Sequence, residues 1–184
     1  GPKIGKVQPL KESCKAELDW PFLLAQQPWN PNDSVDLRVL QTIYHRLIPS
    51  HEGTIPVPAN GPHWEKIGFQ GLDPCTDVNR AMKMLAVLQC LRLTEGDELD
   101  NCKRLHSLSV LYPDSPENPS LEGSGPRGVG KQDLSWPFFC VSIAFTKEAL
   151  VALRTGELNG FCNELNSVLD VLHAFYKACF YHFR

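Results

Sequence analysis

A chain of 184 residues, 42% hydrophobic and 21% charged, can build one domain with a substantial core and has the make-up of an ordinary globular protein. Its formal net charge of −3, without any run of Lys or Arg, argues against nucleic acid as a partner, because phosphate binding calls for a basic face. The longest apolar stretch, Trp136 to Phe145, is about half of the ~20 residues that an intrinsic membrane span needs.

Gly1-Pro2 reads as the remnant of a removed tag, and residues 1–34 as an N-terminal extension to a domain over 35–184. A first helix is expected over Lys11 to Asp19, with a break or a new start at Trp20-Pro21. Pro28, Asn30 and Pro31 signal a turn. Asp33 or Ser34 then caps a helix that presents Leu37, Leu40, Tyr44, Leu47 and Ile48 on one face and stops at Pro49. Residues 50–62, rich in Pro, Gly and Asn, form a loop. After the block from Trp64 to Asp77, one helix is expected from a cap at Thr76 or Asp77 to about Leu93. Met84 to Leu88 is apolar on every side, which requires a buried, central helix.

A further helix spans Glu98 to Leu111, with Leu99, Cys102, Leu105 and Leu108 at helical spacing. Residues 113–133 concentrate Pro, Ser, Gly and charge, the composition of a flexible insertion within one domain. Trp136 to Thr155 resumes the core, with Pro137 in a first turn and Gly156 at the C-cap. By periodicity alone Phe138 to Phe145 could be a buried strand; its continuation through Lys147 to Leu153 favours helix. The stripe Leu165, Val168, Leu169, Leu172, Tyr176, Cys179, Phe180 and Phe183 completes the set. The expected fold is all-α, a single compact helical domain of roughly six or seven helices.

Seven dispersed cysteines, with no CxxC pair, suit reduced core thiols in the cytosol. There is no GxxxxGK[ST], GxSxG, HExxH or dinucleotide fingerprint, so no cofactor is assigned. Gly123, Gly125, Gly128 and Gly130 lie in the insertion, without the strand that a phosphate cradle needs. Cys102 with His106 and Cys179 with His182 could each share a helical face and complete a zinc site together. Core thiols with edge histidines are the simpler reading, so no metal is assigned, and His173 needs no catalytic role.

The most specific block runs Trp64, three residues, Gly68-Phe69-Gln70-Gly71, two residues, Pro74, one residue, Thr76-Asp77. Two glycines and a proline in so short a span fix a compact turn. Trp64 and Phe69 can anchor it, and Thr76 and Asp77 can satisfy the free N–H groups of the next helix. On residue types alone, a rigid helix entry and a recognition loop are equal alternatives.

This spacing resembles the pattern W-x3-G-F-Q-G-x2-P-x-T-D-[hydrophobic]-R-G of ELMO-domain proteins of the ELMOD type. Trp136 to Leu158 is similar to that family's aromatic-Pro-Phe helix near the domain end. The likeness covers most of Val35 to Arg184 outside the insertion. It implies GTPase-activating activity toward a GTP-bound Arf or Arf-like small GTPase, and a cytoplasmic protein recruited to membranes or cilia by that GTPase. In the family pattern the arginine after T-D-[hydrophobic] is the proposed finger. Such an arginine stabilises charge on the transferred γ-phosphoryl group, an effect worth ~10³–10⁵ in rate.

Here Asn79 stands where the pattern has arginine, Arg80 follows, and Ala81 is near the pattern's glycine. One residue of displacement on a helix turns a side chain by ~100°. The resemblance makes Arg80 the candidate catalytic residue. It makes Trp64, Gly68, Phe69, Gln70, Gly71, Asp73, Pro74, Thr76, Asp77, Asn79 and Lys83 the candidate binding surface. On a helical wheel Thr76, Asn79, Arg80 and Lys83 share a polar sector. Arg80 could equally be a solvated residue paired with Asp77 at i, i+3. The alternative function is a non-catalytic module that binds a small GTPase or an exchange-factor partner, as engulfment-and-motility proteins with ELMO domains do.

Overall fold

A computed structural model describes residues 7–48, 56–110 and 136–183. Every regular element among them is helical: α1 (Glu12–Leu24), α2 (Ser34–Leu47), the 3-10 helix η1 (Pro62–Ile67), α3 (Pro74–Arg80), α4 (Lys83–Leu93), α5 (Glu98–Val110), α6 (Phe138–Arg154), α7 (Asn159–Leu165) and α8 (Val168–His182). The all-α expectation holds, and Phe138 to Phe145 belongs to a helix rather than a strand. The insertion expected at 113–133 lies outside the described residues.

The elements exceed six or seven because the helix expected up to Leu93 is divided, and because η1 and nearly all of α7 fall where no helix was expected. Between α3 and α4, Ala81 is extended, and Met82 and Lys83 are left-handed at φ 64° and 48°. Both are good helix formers, so local preference gives no warning. The break is held from outside the segment, by the turn after α1. The Gln27 carbonyl accepts from Met84 N at 3.0 Å, and Lys83 Nζ reaches the Gln26 carbonyl at 3.5 Å. Likewise Asn166, at φ 52°, separates α7 from α8, and Ser167 Oγ accepts from Asp170 N to cap the latter.

Two local expectations are corrected. The cap of α3 is Asp73, whose carboxylate accepts from Cys75 N at 2.9 Å, with Pro74 in the first turn; neither Thr76 nor Asp77 caps it. Trp20-Pro21 does not end α1, which runs on to Leu24 with Pro21 buried. The proline forgoes only the bond to the Glu17 carbonyl. The Glu17 carboxylate meanwhile accepts from Val168 N, Leu169 N and Ser167 Oγ at 2.9–3.1 Å, so it also caps α8. The Leu169 N–H, foremost among these donors, lowers the Glu17 carboxyl below its usual range.

The helix α4 is central, as its all-round apolarity requires: Met84, Leu85, Ala86, Val87, Cys90 and Leu93 are all buried. It packs on α2, α3 and α6, and α6 packs on α8. Trp136, Phe138, Phe145 and Phe180 interlock at one end of α6, Phe138 and Phe180 being stacked at 5.6 Å. Two polar pairs lie inside: Ser142 Oγ meets Tyr176 Oη at 2.6 Å, and His106 Nε2–H donates to the Lys66 carbonyl at 2.7 Å. Burial pushes the Cys102 thiol up to about 12. No group of three metal-ligating side chains gathers among the described residues.

The buried His173 ring donates from Nδ1 to Gln89 Oε1 at 2.7 Å. Burial first, then the charges of Arg92 and Lys177, hold its imidazole down at about 4. In the unfolded chain it titrates near ~6.5. The unfolded state thus binds the extra proton first, and stability is lost as pH falls from 6.5 toward 4. The expected loss is on the order of 3 kcal/mol across that window. Urea midpoints measured from pH 7 to 4 check it, with a shallower slope expected in His173→Asn.

Candidate functional site

Half of the Trp64–Asp77 block is buried foundation. Trp64 is fully buried, donates from Nε1 to the carbonyls of Pro58 and Ala59, and meets Tyr44 and Phe69 edge-on. Phe69 stacks on Phe139 of α6 with ring centres 4.2 Å apart. Gly68 is left-handed, and its carbonyl accepts from Cys140 N at 3.3 Å, satisfying a free donor at the start of α6. Pro74 is buried at the start of α3. Gly71 differs, since a methyl group there would meet nothing within 4 Å.

The other half is a polar outer face. Gln70, Asp73, Thr76 and Arg80 are exposed, and Gly71 is half-buried. Beneath them lies Asp77, only 4% exposed. Its Oδ2 accepts from the Gln70 backbone N–H at 2.8 Å and lies 3.7 Å from the Cys140 thiol. Its Oδ1 pairs with Arg80 Nη2 at 3.4 Å, and Gln70 Oε1 accepts from the same nitrogen at 3.3 Å. Burial above all, with the neighbouring Asp77 charge, raises the Cys140 thiol to about 12.

Asn79 and Arg80 face different ways. Asn79 turns inward and clamps the backbone of Trp29, its Oδ1 accepting from Trp29 N and its Nδ2 donating to the Trp29 carbonyl, both at 2.8 Å. Arg80, one step around the helix, has a side chain 65% exposed. The sector of four polar residues is thereby divided. Thr76 and Arg80 share the outer face, Asn79 serves the α1–α2 turn, and the break at Met82 moves half-buried Lys83 toward Gln26. Asn79→Ala would leave the Trp29 N–H without its partner and its carbonyl with only the Cys75 thiol at 3.9 Å, at an expected cost of about 1–3 kcal/mol, readable in chemical denaturation.

Leu72, which the sequence did not single out, is 55% exposed beside Gly71, with its carbonyl accepting from Gly61 N at 2.8 Å. Its only sequence signal is a large apolar residue in a turn that has no periodic partner. Trp29 was equally silent, because its bond to Asn79 joins residues 50 positions apart.

The model of the ELMO/CED-12 family matches residues 22–184. Human "ELMO domain-containing protein 3" is 31% identical over 174 residues, covering 94% of this chain and 39% of that protein. The bovine protein of the same name is 31% identical over 171 residues and the mouse protein 30% over 173. The chain thus spans about two fifths of the length of these curated relatives, 39% in each case. No solved structure matches it.

Proposed function

The chain belongs to the ELMO/CED-12 family, and on that premise we propose that it activates GTP hydrolysis by an Arf or Arf-like small GTPase, with Arg80 supplied in trans. The observation that carries the reading is the Arg80 guanidinium, exposed at the end of α3 and tied to the outer face of the signature turn by Asp77 and Gln70. The GTPase provides the nucleotide and Mg²⁺. This chain adds a cation for the charge that develops on the γ-phosphoryl group, and a surface around Gln70, Gly71 and Thr76 that orders the GTPase switches. The site of action in this reading is the cytoplasmic face of membranes or cilia to which the GTPase recruits it.

Asn79 favours a second reading. The position at which the family pattern carries arginine is spent on Trp29, which suits a module that binds a GTPase or an exchange-factor partner without speeding hydrolysis. Single-turnover hydrolysis by a panel of GTP-loaded Arf and Arf-like GTPases, with and without this protein, separates the two. Acceleration of one of them is the expected result. Binding without acceleration across the panel would leave the module reading standing.

A further inference from the structure

We propose that Asp77 and Gln70 form a bracket that positions the Arg80 guanidinium for the γ-phosphoryl group of a GTPase-bound nucleotide, Asp77 being the positioning residue. Its functional half rests on the reading of Arg80 given above; its structural half stands alone. A carboxylate as buried as Asp77, at 4% exposure, needs compensating donors. Two of them, the Gln70 N–H at 2.8 Å and the Cys140 thiol at 3.7 Å, fix its Oδ2. That leaves Oδ1 aimed at Arg80 Nη2, to which Gln70 contributes a second acceptor.

Both contacts fall on a single guanidinium nitrogen. Nε and Nη1 have no hydrogen-bond partner among the described residues, so donors of the planar fork remain for phosphoryl oxygens. The bracket stands on rigid ground. Gln70 follows Phe69, which is stacked on Phe139, and Asp77 sits in the middle of α3. An arginine already restrained loses less freedom on meeting its target, and that gain appears in the rate of the chemical step.

The first test needs no GTPase. In NMR relaxation of the isolated protein, the Arg80 Nε–Hε bond should be restrained in the wild type and markedly more mobile in Asp77→Asn and Gln70→Ala. Equal mobility in all three overturns the bracket. The Gln70 side chain is exposed, so Gln70→Ala keeps the fold even where Asp77→Asn does not.

The second test is single-turnover hydrolysis with the GTPase that responds. Each variant should lower the maximal rate about tenfold, and in Asp77→Asn, where the altered residue is buried, the half-saturating concentration should stay within about twofold of wild type. Neither should lower it further when Arg80 is already alanine. Losses that persist in the Arg80→Ala background would mean a merely structural effect, and a faster variant would mean that Asp77 restrains rather than positions; either overturns the proposal. Full acceleration by Arg80→Ala would instead sink the finger reading, while the relaxation measurement still decides the bracket.

Discussion

Gly68→Ala is expected to destabilise the protein by about 3 kcal/mol or more, or to prevent folding altogether. Gly68 sits at φ 91°, where a side chain is strained whatever the space around it. An added Cβ would also lie 2.2 Å from Phe138 N and 2.7 Å from Phe139 N. These are backbone atoms at the start of α6, so no rotamer change relieves the overlap. The helix itself would have to move, losing the bond from Cys140 N to the Gly68 carbonyl and disturbing the Phe69–Phe139 stack. Urea denaturation followed by circular dichroism reads the effect. Gly71→Ala is the control: with open space around it, a stability change within about 0.5 kcal/mol is expected. Comparable losses at both positions would contradict this division of the two glycines.

Arg80→Ala should produce the largest change in activity, a fall in GTPase activation of about 10³-fold or more. Its stability should fall by no more than about 1–2 kcal/mol, because the Arg80 side chain is 65% exposed and the buried Asp77 carboxylate, on losing this partner, keeps the Gln70 N–H and the Cys140 thiol. Arg80→Lys should also lose most of the activation, since an ammonium keeps the charge but not the planar fork. Asn79→Arg should not raise the rate. Position 79 faces the α1–α2 turn, so the substitution would break the clamp on Trp29 and lower stability instead. Single-turnover rates beside denaturation midpoints for these variants provide the check. Unchanged activation by Arg80→Ala would remove Arg80 from the mechanism.

Much of the fold was legible because helical burial writes a repeating signal. The apolar face of α2 follows its cap at Asp33, whose carboxylate accepts from the N–H groups of Val35 and Asp36. The run Met84 to Leu88 placed a helix at the centre, and Phe138 to Leu153 continued as α6. The signature block also announced its family, because its glycines, proline and aromatic residues occupy positions with few substitutes. Gly68 against α6 gives the physical basis for one of them.

The sequence by itself therefore determined an all-helical chain, a central α4 and a specific turn leading into a helix. Only the tertiary structure decided which way Asn79 and Arg80 point and where α3 stops. Periodicity describes one element's faces, whereas these outcomes depend on partners far along the chain. The α1–α2 turn receives the Asn79 side chain and the Met84 N–H, and Met82 and Lys83 are left-handed between them. Local preferences of well under 1 kcal/mol per residue yield to such long-range bonds, and no sequence window contains both sides of the contact.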